Sequence, residues 1–314
     1  MTTDFYFALT ITAPIFTILG LGIFFKRIGL INDEFARVGA DLVFKVTLPC
    51  LLFVKLVETD FRHQLPYLLI GYAIVATIVV FVVLDRLMTR WIASSVDRGV
   101  FVQGAFRGNM GIIGLAFCFS AFGNEVVAVA SIYLAVLTTL FNILSVMTLT
   151  RHNRTTGPSG NVQVFLEIGK NPLIIAIVIG VLVSLSRIPV PELLLTTGEY
   201  FARMTLPLAL LCAGASIRLL EFKGDRALYW ASVGKLLFVP LAITVGGVLI
   251  GLRGQELGVL YLMSSSPTAA ASYPMALALG GNHHLAAAII AMTTLGAVFF
   301  ITLGVFVLRS LALI

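Results

Sequence analysis

Long apolar runs separated by short polar breaks set the pattern of this chain. Ten runs are long enough to cross about 30 Å of hydrocarbon, which takes ~20 helical residues. They lie at 5–26, 36–57, 66–89, 99–121, 125–149, 168–187, 196–219, 228–251, 255–279 and 284–308. Lipid offers no partner to backbone N–H and C=O groups, so each run has to pair its own as a helix. The longest polar stretch, Arg151 to Gln163, carries Arg151, Arg154, Gly157, Pro158 and Gly160 and separates the fifth run from the sixth. The pattern predicts an all-α integral membrane protein of ten transmembrane helices, divided into 1–150, a cytoplasmic linker at 151–166, and 167–314.

The second division repeats the first at one offset. Pro14 matches Pro172, Gly22 matches Gly180, Thr47-Leu48-Pro49 matches Thr205-Leu206-Pro207, and Gly123-Asn124 matches Gly281-Asn282 (172 − 14, 180 − 22, 207 − 49 and 282 − 124, each 158). Five spans per repeat is an odd number, so the second repeat must enter the membrane from the opposite side. Inverted repeats of this kind place a substrate where the halves meet.

Composition agrees with lipid as the solvent. The chain is 59% hydrophobic and 11% charged, with a mean hydropathy of +1.03, whereas soluble domains carry about 25% charged residues. The net charge of +6 is spread singly rather than as a nucleic-acid-binding patch. Placing the N-terminus outside puts Lys26, Arg27, Arg37, Arg86, Arg90, Arg98, Arg151, Arg154, Lys170, Arg218, Lys223 and Arg226 inside. It leaves Lys55, Arg62, Arg187, Arg253 and Arg309 outside. Twelve inner cations against five favour both termini outside the cytoplasmic membrane. Cys50, Cys118 and Cys212 stand in apolar runs without CxxC spacing, which argues against disulfides and metal sites. The N-terminus lacks a basic n-region and a cleavage signal, so the first run reads as a retained span.

The fourth and ninth runs carry the candidate chemistry. The fourth holds Gly104, Arg107, Gly108, Asn109, Met110, Gly111 and Gly114, a poor composition for a lipid-facing helix. Adding 158 to Asn109 gives Pro267, within Ser264-Ser265-Ser266-Pro267-Thr268 and ahead of Pro274. Proline removes a donor and frees the carbonyl one turn earlier, so both runs are expected to break at mid-membrane, at Gly108 and at Pro267 and Pro274. The freed backbone groups and the Asn109 amide suit a carboxylate or other anion. Asn109, Met110, Gly111, Ser266, Pro267 and Thr268 are the expected substrate-binding positions. Close packing of small residues is the plainer reading of the glycines.

Asp41 precedes Lys45 by four residues and Glu199 precedes Arg203 by four, each pair just before a proline, Pro49 or Pro207, expected to kink its helix. Such pairs form helical ion pairs; Asp41–Lys45 reads either as a proton-sensitive support for the site or as charges snorkelling to the interface. Arg107 either draws an anion in or caps a carbonyl exposed by the break. Lys235 is a weaker candidate of the same kind. His283-His284 fits a helix start rather than a metal site, and Ser264–Ser266 is a weak sodium-site signal.

In these elements the chain resembles the auxin efflux carrier family in its short bacterial form. The matching positions are Pro14 to Gly22, Leu48-Pro49, Arg107-Gly108-Asn109 with Gly114, Asn171-Pro172-Leu173-Ile174, and Pro207-Leu208-Ala209-Leu210 with Gly214. The resemblance implies two inverted five-helix repeats with crossing broken helices four and nine. It implies an elevator-like transport unit moving on a scaffold of helices one, two, six and seven, through which the protein dimerises. It also implies carboxylate substrates of the auxin or malonate type, with Asn109 and Pro267 at the crossover and Asp41–Lys45 as a support pair. The middle loop is short, and Ser266-Pro267-Thr268 departs from the plant motif. The expected activity is therefore secondary transport of a small organic anion, with membrane lipid and that anion as its partners and no cofactor. A sodium-coupled organic-anion symporter of the bile-acid-transporter type is the alternative; a channel or a membrane enzyme fits less well.

Overall fold

The computed structural model describes residues 2–58, 66–152, 172–186, 189–216 and 226–314. Most of the expected linker, and Arg62, Arg154, Lys170, Arg187, Arg218 and Lys223, lie outside these residues. The described elements are helical: α1 (Thr2–Arg27), α2 (Asp33–Leu42), α3 (Leu48–Val57), α4 (Tyr67–Arg86), α5 (Ser95–Phe106), α6 (Leu115–Phe122), α7 (Val127–His152), α8 (Pro172–Ser186), α9 (Glu192–Ser216), α10 (Arg226–Val233), α11 (Val239–Leu249), α12 (Gly254–Ser265), α13 (Ser272–Ala278) and α14 (His283–Ser310). Among the described residues, five helical stretches are long and apolar enough to cross a membrane: Tyr6–Arg27, Tyr67–Arg86, Met110–His152, Arg226–Leu249 and His283–Ser310. Of the remaining helices, α9 runs unbroken for 25 residues but carries Glu192, Glu199 and Arg203, and the others are shorter pieces or are interrupted where the sequence places polar and small residues.

Local chemistry accounts for the interruptions. Asn32 starts α2 by accepting the Phe35 N–H at 2.8 Å, and Asn282 starts α14 by accepting the Leu285 N–H at 3.1 Å. The latter agrees with His283-His284 opening a helix. Wide π-helical turns at Val43–Thr47 and Gly234–Phe238 lead into α3 and α11. Each is followed within two residues by a proline, Pro49 or Pro240, whose ring would collide with the carbonyl four residues back in a regular helix. The extra residue of a π turn relieves that collision. Pro207, also expected to kink its helix, lies inside α9 without such a turn.

The helices pack as two groups. In one, α1 and α2 lie on α9, α3 on α8, and α9 also on α3. In the other, α5 packs on α7, α10 and α4, α11 on α12, and α14 on α10, α5 and α13; the two groups are joined where α14 lies along α1, its most extensive partner, and where α6 meets α1 and α7 meets α3. Close approach within the first group depends on glycine. A Cβ on Gly22 would run into the Leu211 carbonyl, one on Gly214 into the Leu19 carbonyl, and one on Gly180 would meet Leu56 Cβ at 3.0 Å and the Phe53 carbonyl at 3.4 Å. The Gly22–Leu211 and Gly180–Phe53 contacts use positions that match at the offset of the sequence repeat (180 − 22 and 211 − 53, each 158).

Polar and aromatic contacts gather at the helix ends. Asp97 accepts from the Asn282 amide at 2.8 Å, and the Trp91 and Trp230 rings meet at 6.2 Å between centroids, tilted by 58°. Nearby on the chain, the buried Asp85 accepts from Arg151 (2.6 Å) and Thr148 (2.7 Å) and lies 3.1 Å from His152. The far end of α14, about 40 Å away at 1.5 Å per residue, returns to the chain where Gly254 N–H donates to the Leu313 carbonyl at 2.8 Å.

Candidate functional site: a crossover of two interrupted helices

Helix α5 stops at Phe106 and the chain becomes helical again at Met110, in a π turn that runs into α6. Helix α12 stops at Ser265, and α13 begins at Ser272. Between these ends the two segments run antiparallel and bond to each other. Asn109 N–H donates to the Pro267 carbonyl at 2.7 Å, and Ala269 N–H to the Arg107 carbonyl at 3.1 Å, pairing Gly108 opposite Thr268. The bridge lets each break satisfy groups freed by the other, in a region where water is unavailable to do so. Asn109 and Pro267, its hydrogen-bonded centre, are the residues matched by the sequence offset.

The side chains divide into those used to hold the crossover and those left over. Thr268 Oγ donates to the Gly104 carbonyl at 2.7 Å, and Thr268 N–H donates to Thr293 Oγ at 3.1 Å, tying the bridge to α5 and α14. The serine run is turned back on its own helix: Ser264 and Ser265 donate to the Tyr261 carbonyl and Ser266 to that of Met263. Met110 is buried, while Gly111 is half-buried against Leu48 and Leu134. The half-buried Asn109 side-chain amide makes no hydrogen bond to any described residue, which leaves both donors and its carbonyl for a ligand.

Two buried cations flank the bridge. Arg107, 6% exposed, donates to Asn142 Oδ1 at 2.7 Å and to Met275 Sδ at 3.2 Å. It caps no carbonyl of the break. That task falls to Lys235, 1% exposed, whose Nζ donates to the Ser264 carbonyl at 2.9 Å and to the Phe106 carbonyl at 3.4 Å. One ammonium therefore sits at the C-terminal ends of both α5 and α12, where helix dipoles favour positive charge. Among the described residues neither cation has an acidic partner. Helix ends and an amide oxygen hold the two cations but no carboxylate neutralises them, and net charge is costly in such surroundings, so the site is electrostatically suited to an anion.

Other expected positions lie apart. Asp41 and Lys45 pair at 3.0 Å, with side chains 59% and 64% exposed, and no hydrogen bond joins them to Arg107 or Asn109. Glu199 and Arg203 form a similar exposed pair at 3.2 Å. Pro274 stands in the first turn of α13, where a missing N–H costs nothing; the interruption itself lies at 266–271. Sequence reasoning passed over Gln103, Asn142 and Met275. Gln103 is fully buried, donates to Met275 Sδ at 3.1 Å and keeps its carbonyl oxygen unpaired. Its signal was available: a polar residue one turn before Arg107 on an apolar run.

Comparison with known proteins places these features in context. The family described as membrane transport protein matches residues 7–305. The uncharacterised transporter YfdV of Escherichia coli K12 is 21% identical over 308 residues, covering 94% of this chain and 96% of that protein. The uncharacterised transporter MJ1031 of Methanocaldococcus jannaschii is 23% identical over 277 residues, covering 84% and 86%.

Proposed function

The chain belongs to the membrane transport protein family, the auxin efflux carriers it resembles in sequence, and from that premise we propose that it carries a small carboxylate across the cytoplasmic membrane. The observation that carries this reading is the pair of buried cations, Arg107 and Lys235, beside the unpartnered Asn109 amide. A carboxylate supplies the missing negative charge and accepts from the amide. Asn109, Met110, Gly111, Ser266, Pro267 and Thr268 line this site, and Asp41–Lys45 supports it from a turn away on the helical run that leads to Leu48, whose side chain would stand 3.7 Å from a Cβ on Gly111.

The ten passes form two inverted five-helix repeats crossing at 108–109 and 267–268. The interrupted helices are the fourth and ninth passes, and Met110–His152 holds the end of one pass and the whole of the next, turning at Gly123 (φ +69°). Movement is of the elevator type: α4–α7 and α10–α14 slide on a scaffold of α1–α3, α8 and α9, through which two copies dimerise. The packing of α1–α3 with α8 and α9, and of α5 with α4, α7 and α10, supports this, with α1–α14, α1–α6 and α3–α7 as the contacts along the sliding seam. Both termini face outward, which puts Arg86, Arg90, Arg98 and Arg151 on the inner side. An inside-negative potential then favours anion export by about 2.3 kcal/mol per charge per 100 mV.

The test is thermal stabilisation of the purified protein by a panel of small mono- and dicarboxylates, with and without sodium. A saturable rise in Tm that Asn109→Ala abolishes, while leaving the unliganded Tm near wild type, is the expected result. A rise that persists in Asn109→Ala would remove Asn109 from the site, and no rise with any carboxylate would sink the anion reading.

A further inference from the structure

We propose that the Lys235 ammonium is the resident cation of the crossover, filling a small-cation site formed by the converging carbonyl ends of α5 and α12, so that this carrier works without sodium. The inference goes beyond the anion reading and does not depend on it. It starts from the backbone. A helix end leaves carbonyls without intrahelical donors and carries partial negative charge. Here two such ends meet inside the protein, and half-helix C-termini of this kind in discontinuous transporter helices coordinate cations.

In this chain a side chain performs that task. Lys235 Nζ reaches the Ser264 carbonyl at 2.9 Å and the Phe106 carbonyl at 3.4 Å, and a Cβ on Gly108 would be 3.1 Å from the same nitrogen. The π turn at Gly234–Phe238, set ahead of Pro240, is what carries Lys235 on this segment. A void of about 10 Å³, lined by Thr77 and Tyr133 among others, borders Phe106 and Ser264, the two residues whose carbonyls accept from Lys235, and has room for roughly one water. Thr77 is the residue at the matched offset from Lys235 (235 − 158), so the charge is supplied by one half only.

The test uses the full-length purified protein with no organic anion present, melted in choline, sodium and methylammonium chloride at one ionic strength. Wild type is expected to melt at the same temperature in all three. Lys235→Ala is expected to melt several degrees lower in choline and to recover saturably in sodium or methylammonium, as a small cation enters the vacated site. A saturable sodium-dependent rise in wild type overturns the proposal, as does a Lys235→Ala protein that melts alike in all three salts. Lys235→Met, which keeps the stem and removes the charge, repeats the comparison without a large cavity. If neither variant survives purification in choline, recovery of folded protein in sodium or methylammonium supports the proposal, and failure in all three salts overturns it. Because no carboxylate takes part, failure here leaves the anion reading standing, and failure of that reading leaves this one untouched.

Discussion

At Gly108 a hydrogen atom in place of a side chain lets the two breaks touch. A Cβ there would stand 2.5 Å from Ser266 Oγ, 3.1 Å from Lys235 Nζ and 3.3 Å from the Met263 carbonyl. Two of these neighbours are side-chain ends that can swing away, but the lysine can do so only by leaving its carbonyls. Gly108→Ala is therefore expected to destabilise the protein by about 1–3 kcal/mol, the usual range for overpacking. A lowered Tm, together with a weakened stabilisation by carboxylate, would be the measured result. Gly111→Ala is the control: its Cβ would meet Leu48 and Leu134 at 3.7 to 4.0 Å, ordinary contact distances. It should melt close to wild type; an equal loss for both would show that the crossover is not sensitive to Lys235.

The helix pairs α1–α9 and α3–α8 stand or fall on what glycine permits. Alanine at Gly214 or Gly22 would drive Cβ into a backbone carbonyl, and neither helix can yield without separating; at Gly180 the nearest atoms are 3.0 and 3.4 Å away, while Gly20 has nothing within 4 Å. The expected order of destabilisation is Gly214 and Gly22 first, then Gly180, with Gly20→Ala neutral or stabilising by up to about 1 kcal/mol through helix propensity. Folded yield by size exclusion and Tm would rank them. These glycines also mark what the sequence conveyed. Matched prolines and glycines revealed the repeat, and the glycines of the fourth run with the prolines of the ninth located the interruptions, because Pro and Gly write backbone geometry directly into residue type. Lys235 was nearly lost, since its partners are carbonyls, which every residue carries, and its counterpart Thr77 breaks the repeat. Arg107 was recognised as a cation of the site, yet its acceptors, Asn142 and Met275, come from helices that only the tertiary fold brings near. The acid–base pair Asp41–Lys45 was legible from its spacing of four and forms as expected; its exposure matches the snorkelling alternative, which spacing could not separate from a role at the site because it says which residues touch and not what surrounds them.

For the molecule as a whole, the seam where α1 lies on α14 and α6 is where the proposed elevator would slide. Hydrogen bonds across it include Thr12 Oγ with Thr302 Oγ at 2.9 Å, joining α1 to α14, and Ser120 Oγ to the Ile11 carbonyl at 2.9 Å, joining α6 to α1. A disulfide between Thr12→Cys and Thr302→Cys should arrest carboxylate counterflow in liposomes and release it on reduction. Transport that continues with the bond formed would exclude sliding at this boundary. The backbone bridge has a consequence of another kind, for synthesis at the membrane. Asn109 N–H and the Arg107 carbonyl find their partners at Pro267 and Ala269, residues made more than 150 positions later. At ~5–20 residues per second the first break would wait roughly ten to thirty seconds for the second. During that interval the nascent first half holds an open backbone at its break, and Arg107 has Asn142 but not Met275 as an acceptor. The halves are thus alike in sequence without being independent in folding, and a ribosome that stalls between them leaves a product suited to quality control rather than to function.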